Sequence, residues 1–497
     1  MTTSTFRPRV WNPGSGRSQQ GSGLPLEQVS FEKSRNRPPH PPRRPTEPPP
    51  PSSQPPPVET FSFAMTPGYP RVWYHGIYTR GNGHSLLTNN GETLQSVLDS
   101  PIDEGMATAL SRYPLITLSD GPFMDKRQDV ATYIKSKNPQ CHVLWSMNVM
   151  LRFDWIVPTM LWNDEFNIFK GPPDMRLRCT DGSLFPFAIP PGVAYFIDIG
   201  QIKERMFQAL VDHGAGSGVA EGFWLDFANG VISGGAEPSF PDGTPRFLDP
   251  TSTGWANLSQ LNASAKAGLD YYVDHLKQFG PVWGNGTVDA DSLSRWYGRV
   301  RETLDPDFGF IGGSNPPSGF ATFDDFVADM LLYTGPGIDG GGTQLVKGDD
   351  ASTTYTQTWM KLARFSPGTA ALAGAYGCVA PEQTQTQKIQ HPELWADEWS
   401  VNTDGTHDPT GARIGWLGRP VDPPGFKDPV SHVWVRRFQN GIVLVNGDGP
   451  NGLGGKTITL ERAYKRIQGV HDTVVNNGAI QQTVTVPNKD AVFMVRI

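Results

Sequence analysis

Between about residues 70 and 380, short apolar runs alternate with amphipathic stretches, a pattern typical of repeated strand–helix units. Eight apolar runs predict strands: RVWYHG (71–76), PLITLSDG (114–121), HVLWSMNV (142–149), AYFIDIG (194–200), GFWLDFANG (222–230), FGFIGGSN (308–315), FVADMLLYTG (326–335) and TAALAGAYG (369–377). Helices are predicted over residues 125–139, 200–214, 269–280 and 292–304. In the third helix, Leu269, Tyr272, Val273 and Leu276 share one helical face.

Eight strands alternating with helices favour an α/β fold, a (β/α)8 TIM barrel, over an open doubly wound sheet. GxxxxGK[ST] does not occur in the sequence, and neither of its two GxGxxG matches, GPGIDG (335–340) and GDGPNG (447–452), opens a predicted helix as the phosphate loop of an open sheet would. We therefore expect a barrel with its functional residues at the carboxyl ends of the strands.

The tail, from about residue 431 to 497, alternates with a period of two residues. It is rich in Val, Ile and Thr, and Asn-Gly, Asp-Gly and Pro-Asn turns divide it. This pattern predicts a small antiparallel β domain. Its role is either to pack against the barrel as an accessory or to bind sugar independently, and the sequence shows no aromatic cluster for the second role.

The first 60 residues differ in kind, because RNRPPHPPRRPTEPPPPSSQPPP (35–57) combines prolines with arginines. Prolines remove amide donors and favour extended polyproline II, so this segment predicts a basic arm without a packed core. Two readings stay open: a solvated linker, or an arm that docks on a protein partner or a second copy of the chain and orders there.

Composition excludes several classes of function. The chain has 497 residues and a formal net charge of −7, so nothing in the overall charge points to nucleic acid. Its three cysteines, Cys141, Cys179 and Cys378, lack the spacing of a disulfide framework or a metal site. No run is long and apolar enough for a membrane span, and the N-terminus lacks the apolar core of a signal peptide. These features predict synthesis in the cytoplasm, with association with a virion or other particle as a further option.

The order of RVWYHG, AYFIDIG, GFWLDFANG, WLGRP (416–420), VWVRRFQNGIVLVNGDG and VTVPNKDAVFMVRI resembles glycoside-hydrolase-like TIM barrels with a C-terminal β-sandwich. The wording RFQNGIVLVN in the tail is the most specific part. The resemblance runs from about residue 69 to the end and implies a barrel over 69–420 and a β domain over 431–497, with the arm of residues 1–60 outside it.

In such a barrel, Asp226 at the end of GFWLD would be a nucleophile, general acid or general base. The alternative is that Asp226 caps the following turn. Glycoside hydrolysis uses two carboxylates, and the sequence offers Asp198 in AYFIDIG as the second. Asp198 has its own alternative, since an Asp at this position can cap the helix that begins near Gln201.

Further side chains near predicted strand ends could stack on a sugar ring or bind its hydroxyls. These substrate-binding candidates are Tyr74, His75, Asp120, Trp145, Asn148, Trp224, Asn315 and Tyr333. We expect no cofactor and no metal, because His75 and His84 are separated by loop without a carboxylate between them.

The resemblance implies a glycoside-hydrolase-like barrel that binds a polysaccharide and, if active, hydrolyses it by carboxylate acid/base catalysis. The alternative is an inert structural or assembly component of a particle, tethered by its N-terminal arm. Carbohydrate is the expected ligand in the first case and a protein partner in the second.

Overall fold

A computed structural model describes residues 68–76, 101–119, 128–148, 151–153, 176–189, 192–212, 214–226, 232, 247–284, 298–304, 322–333, 345–349, 354–380, 393–423, 425–447 and 454–497. The chain divides into two units, Met1–Thr60 and Phe61–Ile497, and every described residue belongs to the second. The predicted arm of residues 1–60 therefore lies outside the described residues.

The described residues contain an eight-stranded sheet in which every strand pair is parallel. Its strands, in spatial order, are Trp73–Gly76 (β1), Leu115–Ser119 (β2), His142–Asn148 (β3), Gly222–Asp226 (β8), Val282–Gly284 (β10), Gly298–Leu304 (β11), Leu345–Asp349 (β12) and Tyr376–Ala380 (β13). A parallel bridge between Val72 and Gly377 joins the two ends of this order, and Gly377 donates its amide to the Arg71 carbonyl at 2.9 Å. This sheet is consistent with a TIM-barrel domain.

Helices lie between these strands along the chain. They span Glu104–Leu110 (α1), Gln128–Lys137 (α2), Ile199–Asp212 (α3), Leu258–Leu276 (α4), Phe323–Tyr333 (α5) and Gln357–Ala373 (α6), with a short 3-10 helix at Pro250–Thr253. The sequence patterns at α2, α3 and the second half of α4 predicted helices, and these are confirmed. Side-chain oxygens of Asn257 and Thr356 accept amide hydrogens in the first turns of α4 and α6, which fixes where each helix begins.

Two predicted elements have the wrong type. Residues 326–335 read as a strand, but they belong largely to α5, because Phe323, Phe326, Val327 and Met330 follow helical spacing and are buried together. Residues 292–304 read as a helix, whereas β11 occupies Gly298–Leu304. The last predicted strand, 369–377, is the end of α6 followed by the start of β13.

Four shorter strands and one strand predicted for the barrel lie outside the parallel sheet. Leu151–Phe153 (β4), Pro186–Ile189 (β6) and Gly192–Phe196 (β7) form an antiparallel three-stranded sheet, and Arg178–Cys179 (β5) pairs with Leu248–Asp249 (β9). The strand predicted from AYFIDIG is therefore real as β7, but it belongs to the small sheet. This places Asp198, which follows it, outside the eight-stranded sheet.

The tail forms a six-stranded antiparallel sheet, as its period-two pattern predicts, and this sheet is consistent with a C-terminal β-sandwich. In spatial order its strands are Phe426–Lys427 (β14), Trp434–Phe438 (β15), Gly441–Asn446 (β16), Asp490–Arg496 (β19), Lys456–Arg466 (β17) and Ile480–Val486 (β18).

Both faces of the two central tail strands are buried. Val443 and Val445 of β16, with Ala491 and Phe493 of β19, pack in one cluster with Phe365 and Ala371 of α6. The alternate residues Ile442, Leu444, Val492 and Met494 pack in a second cluster made by the curled sheet itself. The tail therefore packs on the parallel-sheet domain, as the accessory role requires.

A buried ion cluster reinforces the contact between α6 and the tail. The Arg364 guanidinium donates to both carboxylate oxygens of Asp490, at 2.9 and 2.8 Å, and to Asp472 at 2.7 Å. All three side chains are about 3% exposed. An arginine fork on two buried carboxylates fixes how α6 sits on the tail sheet.

The three cysteines are free and buried. Within the described residues, no helix is long and apolar enough to cross a membrane.

Candidate functional site

The carboxyl edge of the eight-stranded sheet, where all its strands end, is the candidate site. The final strand residues there are Gly76, Ser119, Asn148, Asp226, Gly284, Leu304, Asp349 and Ala380. Because the strands are parallel, these ends lie at one edge, which is where enzymes with parallel sheets bind their ligands. Polar or acidic residues end four of the eight strands: Ser119, Asn148, Asp226 and Asp349.

One face of the parallel sheet carries a compact apolar cluster. Its members come from six strands and are all buried: Trp73, Leu115, Leu144, Trp224, Trp283, Tyr376 and Cys378. Residues two apart along a strand share a face, so His75, Asn148 and Asp226 lie on the same face as Trp73, Leu144 and Trp224. The apolar cluster therefore forms the layer directly beneath the polar strand ends.

The register brings Asp226 and Asn148 together as direct partners on neighbouring strands, β8 and β3. Two of the residues that the sequence singled out, 78 positions apart, thus stand side by side at the carboxyl edge. Trp224 is 2% exposed within the apolar cluster, so it forms part of the layer below the edge.

Three further polar positions on this face were missed by the sequence analysis. Lys347 of β12 pairs with Cys378 of the apolar cluster, and Glu302 of β11 pairs with Lys347. Asp349, two residues beyond Lys347, pairs with Ala380 at the end of β13. Paired residues of parallel strands share a face, so Glu302, Lys347 and Asp349 belong to the same face as Asp226. The run LVKGD was too short and too polar to read as a strand.

Two aromatic candidates lie on the opposite face, contrary to the expectation that they reach the strand ends. Tyr74 is 2% exposed and meets Tyr113 edge to face, with ring centroids 5.6 Å apart. Trp145 is 1% exposed and packs near Phe223 at 6.2 Å. Because strand residues alternate between faces, each is one position away from the side that carries Asp226. Their contacts are those of core residues behind the sheet.

Asp198 is fully buried and saturated with hydrogen bonds. Its carboxylate accepts from the Gly200 amide at 3.1 Å, the Gln201 amide side chain at 2.9 Å, the Trp255 indole at 2.5 Å and the Ser264 hydroxyl at 2.9 Å. These donors tie the start of α3 to α4. These contacts agree with the helix-capping role, in which Asp198 accepts a hydrogen bond from the first turn of α3. The prediction that Asp198 ends a strand of the barrel is wrong, because β7 belongs to the small antiparallel sheet.

Four substrate-binding candidates remain. Tyr333 is the last residue of α5, so the strand end predicted for it does not exist. Asp120 and Asn315 lie outside the described residues. His75 is the third residue of β1, where it pairs with Thr117.

The opposite edge of the same strands carries a charged group with a different role. Glu221, just before β8, contacts Lys135 at 2.5 Å and His142 Nδ1 at 2.9 Å. Burial alone would raise the pKa of Glu221, but hydrogen bonds from His142 and Lys135 outweigh it, so the pKa lies below its usual value. This cluster joins α2, β3 and β8 at the edge where TIM barrels keep stabilising residues.

Comparisons with known proteins give matches in structure only. No protein-family model and no curated protein sequence matches the chain. Similar solved structures include an α-N-acetylgalactosaminidase from Bifidobacterium bifidum, at 11% identity and a TM-score of 0.36, over 76% of this chain and 56% of that one. An α-amylase from Geobacillus thermoleovorans, complexed with acarbose, matches at 10% identity and a TM-score of 0.40, over 86% and 98%.

A dextranase from Flavobacterium johnsoniae, complexed with glucose, matches at 11% identity and a TM-score of 0.40, over 87% of this chain and 52% of that one. The chain thus spans about half the length of two of these proteins. At TM-scores below 0.5, these matches identify neither a reaction nor a ligand for this chain.

Proposed function

We propose that this protein is a glycoside hydrolase that binds a polysaccharide at the carboxyl edge of a closed (β/α)8 barrel and cleaves it with Asp226 as one of two carboxylates. The observation that carries the proposal is the position of Asp226. It ends β8, lies on the face of the buried tryptophans and stands in register with Asn148.

The strand registers support a closed barrel. The residue pairings can be followed from Trp73 in β1 across the seven strand pairs to β13, and from there back to the first strand through the Val72–Gly377 bridge. This circuit returns to a position eight residues before Trp73. A shear of eight for eight strands is the value that TIM barrels have. Closure gives the sheet an inner and an outer face, and the cluster around Trp224 then fills the inside beneath the site.

Glycosidic bond cleavage needs one carboxyl group to protonate the leaving oxygen and another to attack the sugar or activate water. The face that carries Asp226 supplies two further acidic positions, Glu302 on β11 and Asp349 at the end of β12. Either could complete the pair. Asp198, buried behind four hydrogen bonds, is not part of this proposal.

Asn148 has a supporting role. An amide directly beside the acidic residue on the next strand can donate to a sugar hydroxyl or to the carboxylate itself. Hydrogen bonds to the charged form lower a carboxyl pKa and keep it ionised, as a nucleophile or base requires.

The test begins with the unmodified full-length chain and a panel of soluble polysaccharides and aryl glycosides, scored by release of reducing ends or aryl alcohol. On any substrate that turns over, Asp226→Asn should lose about 10²-fold or more in rate, since the amide cannot act as acid, base or nucleophile. Of Glu302→Gln and Asp349→Asn, one should lower the rate by a comparable factor, and the other should change the rate only slightly.

The matched control is Asp181→Asn, which changes an exposed aspartate in a turn and should leave turnover unchanged. Circular dichroism melting of each variant separates loss of chemistry from loss of fold. Turnover that survives Asp226→Asn would overturn the assignment, and so would a complete absence of turnover by the unmodified chain across the panel. NMR of the released anomer then assigns a retaining or inverting reaction, which corresponds to carboxyl separations of about 5–5.5 or about 6.5–9.5 Å.

A further inference from the structure

Away from the carboxyl edge, two histidines and an aspartate converge beside the contact between α6 and the tail sheet. Asp397 and His407 belong to the segment before β14, and His471 lies in the loop between β17 and β18. One potential ligand atom from each of the three side chains lies within 4.8 Å of the others. His407 Nδ1 is 3.7 Å from Asp397 Oδ1, and the two imidazole centroids are 5.5 Å apart.

All three side chains are held in place by their surroundings. The Asp397 carboxylate accepts backbone amides of Val470, His471 and Asp472 at 3.0 to 3.3 Å. The loop can wrap this closely because Gly469 lacks a side chain, since a Cβ there would come within 2.1 Å of Asp397 Oδ2. A carboxylate oriented by outer donors is a regular feature of metal sites.

The two imidazoles are fixed as well. His471 stacks on Tyr355, with centroids 3.6 Å apart and planes 12° from parallel. The His407 ring lies with Nδ1 3.5 Å from the Asp397 carbonyl oxygen, and its backbone amide donates to the Gln468 carbonyl at 3.0 Å, which holds this residue against the same loop. His407 is 8% exposed and Asp397 2%, while His471 is only partly buried, so one side of the cluster is open to solvent.

The charge around the cluster is unbalanced toward the negative. Asp472 and Asp490 share the Arg364 guanidinium, whereas the Asp397 carboxylate accepts backbone amides, lies 3.5 Å from the Asn476 side-chain amide and lies 3.7 Å from His407 Nδ1. A buried carboxylate is stable when it is paired with a cation or coordinates a metal. A divalent cation beside Asp397 would supply that charge.

We propose that Asp397, His407 and His471 bind one divalent ion of the zinc class, which clamps the β17–β18 loop to the segment that connects the two sheets. Two imidazole nitrogens and one carboxylate oxygen are a ligand set for Zn²⁺ or a similar transition metal, whereas Ca²⁺ and Mg²⁺ prefer oxygen ligands. Three protein ligands leave a fourth position for water on the solvent side. Metal bonds of about 2.0–2.1 Å would draw the three side chains slightly closer together.

The experiment uses the full-length chain, stripped with a chelator and dialysed into metal-free buffer. Titration with Zn²⁺ should give one equivalent bound per chain by calorimetry, and Co²⁺ should produce the visible absorption of a low-coordinate site. Zn²⁺ should also raise the melting temperature in a concentration-dependent manner, because a ligand that binds only the folded state stabilises it. Ca²⁺ and Mg²⁺ should do neither.

The discriminating variant is His471→Ala, since His471 is partly exposed and its loss leaves the Asp397 hydrogen bonds in place. It should weaken Zn²⁺ binding by tenfold or more and abolish the Co²⁺ band. The matched control, His275→Ala on α4, removes a half-buried histidine from another part of the domain and should change neither. His407→Gln provides a second ligand change that keeps a polar side chain at the buried position.

Absence of the Co²⁺ band in the unmodified protein, or equal Zn²⁺ affinity in the unmodified protein and His471→Ala, would overturn the site. Asp397 and the histidines would then be a hydrogen-bonded cap on the loop and nothing more. None of these measurements uses substrate turnover, so the result is independent of the proposed hydrolase activity.

Discussion

Replacing Arg364 by methionine removes one cation from between two buried carboxylates and keeps a side chain of similar length. Asp490 and Asp472 are then left in the contact between α6 and the tail, each about 3% exposed. Burial already raises the pKa of Asp490, and Arg364 is the main influence that opposes it. Breaking a buried ion pair by removing one partner costs about 3–5 kcal/mol, because the remaining charge keeps its desolvation penalty.

The chain contains a second arginine between two carboxylates, in a more exposed place, which makes a control. Arg437 bridges Glu461 and Asp422, each at 3.1 Å, but its side chain is 31% exposed. Arg437→Met should cost only about 0.2–1 kcal/mol, since water solvates the carboxylates left behind. The difference between the two variants measures burial, together with the longer third ion pair of Arg364, which lies 3.8 Å from Glu398.

The assay is equilibrium unfolding in urea at pH 7, followed by tryptophan fluorescence and by far-ultraviolet circular dichroism. Arg364→Met should lower the free energy of unfolding by several times the loss in Arg437→Met. Replacing Asp490 by leucine in the Arg364→Met background should recover part of the loss, because an uncompensated charge is removed with it. Equal losses in the two single variants would refute the reasoning, as would a double variant less stable than Arg364→Met alone.

Three further predictions concern the parallel-sheet domain. Glu221→Gln should cost at most about 1 kcal/mol above pH 5. The cost should begin to shrink as pH falls to the ordinary carboxyl pKa and should be lost once pH falls through the lowered pKa of the folded state, because a lowered pKa stabilises only the ionised state; urea midpoints from pH 7 downward test this. Thiol titration with a chromogenic disulfide should find no reactive cysteine in the native protein and three after unfolding, since all are buried and burial raises the pKa of Cys141 to about 12. Gly268→Ala should lower the free energy of unfolding in urea by about 1–3 kcal/mol, because its new Cβ would lie within 2.8 Å of the Gly200 backbone. The control, Ala267→Gly at the exposed neighbouring position, should lower it by about 1 kcal/mol or less.

The hydrophobic pattern predicts well two kinds of element. Helices α2 and α3 bury one face, so their periodicity appears in the sequence, and strands β2, β3 and β8 bury both faces, so each appears as a short apolar run. In the tail, strands β17 and β18 show the period-two alternation of a strand with one buried face. The sequence identifies polar residues at strand ends only one at a time. That Asp226 pairs with Asn148 follows from the order and register of the strands in the sheet, which the sequence pattern does not contain.

The errors have physical causes. Helix α5 packs into a core where most of its residues are apolar, and a short apolar run does not distinguish a helix from a strand. Strand β11, GRVRETL, carries three charges among seven residues and no continuous apolar run, so its spacing suits a helix equally well. Asp397, His407 and His471 are separated by 10 and 64 residues, and only the fold of the tail brings them together.

The bridge between Val72 and Gly377 has a consequence for biosynthesis. The two residues lie about 300 positions apart, and ribosomes add about 5–20 residues per second, so the partner of the first strand emerges roughly 15–60 seconds after that strand has left the exit tunnel. Throughout this interval the free side of β1 presents unpaired amides and carbonyls, which are a template for pairing with other chains. The yield of soluble protein should therefore depend on how well the cell shields that one nascent strand while the remaining seven are translated.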